Sequence, residues 1–350
     1  MATSRQVAQL AGVSRATVSR VLNGSPRISA EARDRVHAAM KALGYEPDVV
    51  AQNLARQRSY MIALGLYHEG EELAISTLSR TENYYYLDMI KYIDRGVAAA
   101  GYDLFLPSLA QNKAPENYIR SLRARRIAGT IMLALDLADV RIQALLQSAI
   151  PTVFIDTRGQ GEHATYVDSN HMDGARQVTE HLLSLGHRRI AIVTGPLTDP
   201  ASTERLLGFQ QTLAHAGIAL DPGLLCLTGW NTDEAYRATR TFLEQRHDFT
   251  AIIAGSDMMA LGILRALHER GLRVPQDVSL TGFDDLAISQ YIVPSLTTVK
   301  ADRETMSKGA VQRLMALVEG EDAVPPLIVP SQLIIRESTG PAPSPSMQEK

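Results

Sequence analysis

Two sets of side chains in this 350-residue chain have types and spacings that could do chemistry. The first is basic and helical. In Arg15-Ala16-Thr17-Val18-Ser19-Arg20-Val21-Leu22, the apolar Val18, Val21 and Leu22 fall at i, i+3 and i+4 and face inward. Arg15, Ala16, Ser19 and Arg20 are left on the outer face. A guanidinium can bond a guanine through O6 and N7, and an alanine methyl can touch a thymine methyl. Phosphate contact or plain solvation is the competing reading for both arginines. The second set follows apolar, strand-like runs. Asp156 comes after Phe154-Ile155, Arg205 lies three residues before Gly208-Phe209, and Asp284 follows Gly282-Phe283. Trp230, the sole tryptophan, is flanked by Gly229 and Asn231, which marks a loop. Carboxylates, a guanidinium and an aromatic face suit a polyhydroxylated small molecule, because each hydroxyl both donates and accepts. The competing readings are an ion pair for Arg205 and Asp284 and a core position for Trp230.

Other reactive residue types stay unassembled in the sequence. Cys226 is the only cysteine, so neither an intramolecular disulfide framework nor a Cys-rich metal cluster is available. His181 and His187 are six residues apart and are expected on a helix surface and in a turn. His163 and His171 are expected in a loop. No metal site and no cofactor is therefore expected. The chain has no Gly-x-Gly-x-x-Gly, Walker A or nucleophile-elbow pattern, which argues against an enzyme.

The elements that must position these groups divide the chain in two. The formal charge of −3 hides an asymmetry: nine basic residues face four acidic ones through residue 60, against 26 and 34 in the remainder. A basic head on an acidic body points to nucleic acid for the head alone. Within the head, residues 6–11 form an apolar-faced helix that Gly12 ends, and Ser14 stands as an N-cap before the second helix. Asn23-Gly24-Ser25-Pro26 is a turn, and a third helix runs from after Ser29 to Gly44. Two short helices joined by a tight glycine turn make a helix-turn-helix.

From Met61 strands and helices alternate. Strands are expected at 62–66, 103–106, 129–133 and 152–155, with helices at 88–100 and 116–125. A second series has helices at 174–185, 204–216 and 258–270 and strands at 189–193, 251–254 and 278–281. The predicted architecture is an all-α head followed by two doubly wound α/β lobes with parallel sheets, which bind ligands at the carboxyl ends of their strands. No apolar run is long enough to span a membrane, and the N-terminus has no apolar signal region, so a cytoplasmic protein is expected.

Val7-Ala8, Ala11-Gly12-Val13-Ser14 and Thr17-Val18-Ser19-Arg20-Val21-Leu22-Asn23 resemble the DNA-binding head of the lac repressor family. Gly44-Tyr45-Glu46-Pro47 and Val50-Ala51-Gln52-Asn53-Leu54-Ala55 resemble its junction and hinge. The runs 181–190 and 274–285, with Pro294-Ser295-Leu296-Thr297-Thr298-Val299, resemble its effector core, which is similar to periplasmic sugar-binding proteins. The resemblance implies a homodimeric transcriptional regulator, a repressor, on a pseudo-palindromic double-stranded operator, controlled by a small ligand between the lobes. A sugar is the expected ligand; a nucleobase or nucleoside corepressor, or an enzyme of sugar metabolism, are the alternatives.

The resemblance also implies domains: a head at 1–46, a hinge at 47–59 and a core at 60–340; the tail at 341–350, rich in Pro and Ser, is expected to be disordered. The first lobe would hold about 60–157 and 291–323, the second about 158–290 and 324–340, with crossovers near 156–160, 286–293 and 322–326. By matching position, Arg15 and Ala16 would read base edges, with Arg20 further along, while Thr3, Ser4, Ser14, Thr17, Ser19 and Asn23 would position phosphates. Leu54 would wedge into the minor groove, against simple packing as the alternative. Asp156, Arg205, Trp230 and Asp284 match effector-contacting positions. Ser256 stands where relatives often carry Asn before the aspartate, here Asp257. Tyr85 and Tyr86 align with pocket-lining aromatics, the alternative being the rim or a dimer face. The stretch from Tyr67 to Asn83 is longer than the corresponding loop of relatives.

Overall fold

The computed structural model describes residues 2–22, 25–46, 59–68, 71–72, 84–107, 115–133 and 139–343. The chain forms two compact units, 1–60 and 61–350. In the first, helices α1 (Ser4–Ala11), α2 (Arg15–Leu22) and α3 (Ala30–Leu43) close around Val7, Ala8, Ala11, Val18, Val21, Val36 and Ala39. Thr3 begins α1 with a capping box: its hydroxyl accepts from the Gln6 amide, while the Gln6 side chain accepts from the Thr3 amide at 2.8 Å. Gly12 ends α1 at φ 63°, a left-handed turn that a side chain would strain. Ser14 Oγ then accepts the Thr17 amide at 3.0 Å and starts α2. The helix-turn-helix expected from the sequence is therefore present.

The second unit is built on two parallel sheets. The first contains β1 (Met61–His68), β3 (Asp103–Phe105), β4 (Gly129–Leu133), β5 (Thr152–Ile155), β6 (Ala164–Ser169) and, far along the chain, β12 (Leu327–Val329). Its order is β3-β1-β4-β5-β6-β12, all parallel, with the two-residue β2 (Glu71–Glu72) antiparallel to the end of β1. Successive strand residues alternate between faces. Ile62, Leu64, Ile131, Leu133, Val153 and Ile155 join α4 (Tyr84–Ala99) and α11 (Arg303–Glu319) on one side. Ala63, Met132 and Phe154 join α5 (Pro115–Ala124) and α6 (Val140–Leu146) on the other. A sheet covered on both faces explains why its strands read as apolar runs.

The second sheet has the order β10-β9-β7-β8, with β7 (Ile190–Thr194), β8 (Leu225–Leu227), β9 (Ala251–Ala254) and β10 (Ser279–Thr281). Helices α7 (His171–Ser184) and α8 (Pro200–His215) cover one face, and α9 (Thr232–Gln245) and α10 (Asp257–Glu269) the other. The antiparallel pair β11 (Thr298–Ala301) and β13 (Ser331–Ile334) lies beside α7.

The lobe boundaries differ from those expected. The strand β6 pairs with β5 and keeps the chain in the first sheet through Ser169, so the first crossing falls at 170 and not at 156–160. Its mixed sequence, Ala-Thr-Tyr-Val-Asp-Ser, carries no apolar run to announce it. The strand β12 pairs with β6, so 327–329 belong to the first lobe and the last crossing follows Val329, not 322–326. The pair β11/β13 puts Val299 into the second lobe's core, although 291–323 is expected in the first. The expected disordered tail also starts too early: the Ala342 amide donates to Leu185 O at 2.9 Å. Two histidines move inward. His171 opens α7 with 3% exposure, not in a loop, and His187 is fully buried. His187 Nδ1 meets Thr250 Oγ1 at 2.8 Å and Nε2 meets Gly340 O at 3.0 Å, which holds the C-terminal segment on the second lobe.

Candidate effector cleft and nucleic-acid face

The head presents the residues picked out by helical spacing. Arg15, Ala16, Ser19 and Arg20 are exposed, and Val18 and Val21 are buried beneath them. Thr3 and Ser14 are exposed with their hydroxyls engaged as helix caps, while Ser4 and Thr17 are half-buried. Two of the expected DNA contacts, Asn23 and Leu54, and nearly all of the hinge at 47–59 lie outside the described residues, as does most of the stretch 67–83.

In the second unit the expected ligand residues converge from both lobes. Asp156 directly follows β5 and adopts φ 59°; Asp284 lies three residues after β10 with φ 111°. Both are left-handed, uncommon for a residue with a side chain, and such strain concentrates at functional sites. Tyr85, at the start of α4, donates its hydroxyl to Asp156 Oδ2 at 2.8 Å. Asp156 Oδ1 is buried without a partner. Burial, with the Asp168 charge adding to it, pushes the Asp156 carboxyl up to about 8 against the pull of Tyr85 and Arg205. Burial, reinforced by nearby carboxylates, also raises the hydroxyls of Tyr85 and Tyr86 well above the usual tyrosine range. Tyr86 stands edge-on to Tyr85, with ring centroids 5.4 Å apart.

Across the cleft, Arg205 of α8 donates to the Gly255 carbonyl and lies 3.7 Å from Asp284 Oδ1. Its guanidinium stacks 3.7 Å over the Phe283 ring and 5.3 Å from that of Trp230. Trp230 is half-buried and donates Nε1–H to Asp199 Oδ2 at 2.9 Å. A Cβ on Gly195 would lie 2.4 Å from the indole, so only glycine lets the ring settle there. The body of Trp230 packs against the second-lobe core. Asp284 is 6% exposed; burial raises its carboxyl, while Arg205 and Arg303 oppose the rise. Ser256 caps α10, accepting the Met259 amide at 3.2 Å.

Several participants are not apparent from the sequence. Arg158 joins Asp168 of β6 at 2.9 Å to Glu204 of α8 at 2.6 Å. His171 lies between the lobes, its Nε2 3.4 Å from Asp168 Oδ1 and its Nδ1 3.4 Å from Arg205 Nη2. Burial lowers its pKa, Asp168 opposes that and Arg205 adds to it. Arg303, at the start of α11, bonds Asp88 at 3.0 Å and the carbonyls of Asp284 and Asp285. Asp257 is wholly buried and accepts from the Leu286 amide, Ser289 and Thr298 at 2.7, 2.6 and 2.5 Å, which fastens the crossover segments. Burial, and next the charge of Asp284, raises its carboxyl. The only sequence signal for these residues is polarity beside a strand end. Asp156, Asp168 and His171 bring potential metal-ligand atoms within 4.8 Å of one another. The guanidinium 3.4 Å from His171 opposes a second cation there.

A helix-turn-helix with an exposed basic face, on a chain whose second unit is a two-lobed parallel α/β fold, is the arrangement of a DNA-binding regulator by class. Comparison with known proteins narrows this. Residues 3–48 match the family model of bacterial regulatory proteins of the lacI family, and residues 179–339 match a periplasmic binding protein-like domain. The HTH-type transcriptional regulator CelR of Thermobifida fusca is 32% identical over 340 residues, covering 96% of this chain and 98% of that protein. A solved CelR–cellobiose complex aligns with a TM-score of 0.72 and 32% identity, over 97% of this chain and 100% of that one. The lac repressor dimer bound to operator and the anti-inducer ONPF aligns at 0.81 and 31%, over 97% and 99%. The chain belongs to the LacI family of DNA-binding transcriptional regulators. Its relatives are regulators, which points away from an enzyme. No helix among the described residues is long and apolar enough to cross a membrane.

Proposed function

We propose that the protein is a repressor that binds a pseudo-palindromic operator as a homodimer and answers to a sugar bound between the lobes of its second unit. The observation that carries the ligand reading is the meeting of Tyr85 and Asp156 with Arg205, Trp230 and Asp284, in which an oxygen of the Asp156 carboxyl is left buried and unpaired. A buried polar atom without a partner costs about 1–3 kcal/mol, and a ligand hydroxyl, which both donates and accepts, would supply one. The cellobiose of the CelR complex supports the same class.

In this reading Arg15, Ala16 and Arg20 meet base edges, and Thr3, Ser4, Ser14, Thr17, Ser19 and Asn23 position phosphates. Leu54 wedges the operator centre open, and Tyr86 lines the ligand cleft. Ligand binding changes how the two first lobes meet and hence the spacing of the heads; by linkage, operator DNA alters ligand affinity by the same factor. The decisive experiment titrates the purified protein with a selected pseudo-palindromic duplex and with random duplex at physiological salt. Preference for the former by at least about 10³-fold is expected. Equal affinity would dismiss the reading.

A further inference from the structure

We infer that the cleft takes an uncharged saccharide and refuses phosphorylated or carboxylated ones. This rests on the reading of the cleft as a sugar site. Recognition of a phosphate needs an open guanidinium fork, an unengaged ammonium or the free amides of a helix N-terminus. The three guanidiniums bordering the site each have partners, and Arg205 keeps a single N–H, at Nε, unpaired. Arg205 is held by Gly255 O, Asp284 and His171; Arg158 by Asp168 and Glu204; Arg303 by Asp88 and two backbone carbonyls.

The helix N-termini of the second lobe, where a doubly wound fold would cradle a phosphate, are closed in the same manner. Asp199 caps α8 and accepts from the Ala201 amide at 2.7 Å. Asn170 caps α7, with Asp173 in its first turn, and Asn231 caps α9, with Asp233 and Glu234 following. Ser256 caps α10 and the buried Asp257 comes next. Every one of these ends carries an acidic side chain of its own, which neutralises the positive end of the helix and repels an anion.

What the site leaves open has the opposite character. Asp156 Oδ1 and Arg205 Nε are buried without partners. These are single donors and acceptors of the kind that sugar hydroxyls match. An anion in their midst would face the carboxylates of Asp199, Glu204 and Asp284. Like-charge juxtaposition of that kind lowers affinity by roughly a hundredfold or more.

The test is calorimetric titration of the full-length protein with glucose, galactose, cellobiose, lactose and maltose, alongside glucose 6-phosphate, galactose 6-phosphate and glucuronate. At least one neutral sugar is expected to bind, with its charged derivative roughly a hundredfold weaker. A charged derivative that binds as tightly as its parent overturns the inference and leaves the sugar reading standing. If no sugar of either kind binds while operator binding is intact, the sugar reading itself falls and takes the inference with it. A second arm uses Asp199→Asn, which keeps a capping side chain and removes its charge. The preference for neutral over phosphorylated sugar should narrow severalfold in that variant. An unchanged ratio would overturn the assignment to the helix caps.

Discussion

At the scale of single residues, the cleft combines groups that direct the ligand with groups that tune charge. Arg205 is fixed on three sides before any ligand arrives, so little orientation remains to be lost on binding. Arg205→Ala or Asp284→Asn should abolish ligand-dependent change in operator affinity while basal operator affinity stays within about threefold. Anisotropy titrations with and without sugar check this, and a retained response would remove either residue from the cleft. Asp156 makes a separate prediction. Its carboxyl stands at about 8 in the folded protein against an ordinary 3.8, so folding takes up a proton between those values. Its contribution is greatest on the acid side and is lost as pH rises from about 4 to 8. Asp156→Asn should therefore raise the melting temperature at pH 8 and change it little at pH 4. A gain of 1 kcal/mol would appear as about 2–4 °C.

At the scale of elements, the head depends on its caps because its helices are short. Helices as short as α1 and α2 are not stable alone, and α1 relies on Thr3, Gln6 and the left-handed Gly12 to close its ends. Thr3→Ala should cost about 1 kcal/mol of head stability. Amide exchange in α1 is the readout; unchanged protection would show that packing on α3 suffices. For the hinge, the expectation from the sequence is that Leu54→Ala weakens operator binding more than non-specific binding. Equal losses would count against a wedge. The same scale shows why lobe boundaries are hard to read from sequence. The signal for β4 and β5 is an unbroken apolar run, whereas β6 mixes polar and apolar residues and carries no such run. Without β6 the first crossover is placed too early and His171 lands in a loop.

At the scale of the whole molecule, the net charge of −3 is the sum of a basic head and an acidic body. DNA affinity should accordingly fall steeply with salt through the head's arginines, whereas binding of an uncharged sugar should not. A chain beginning at Met61, which contains one complete compact unit, should fold and bind sugar with near-native affinity yet show no operator preference. Loss of folding in that chain would contradict the division into units.

The sequence by itself determined the helix-turn-helix, the outward Arg15 and Arg20, the alternation of strands and helices, and Asp156, Arg205, Trp230 and Asp284 as groups to watch. These follow from local rules, since periodicity, caps and glycine turns act over a few residues and leave their marks in order along the chain. Only the tertiary structure decided how those groups are joined. That β12 sits beside β6, that Arg158 reaches from Asp168 to Glu204, and that His171 lies between Asp168 and Arg205 are pairings of distant segments. The charge of a buried carboxyl such as Asp156 depends on those neighbours and on the exclusion of water. Both exist only once the two sheets have folded and brought these polar groups together.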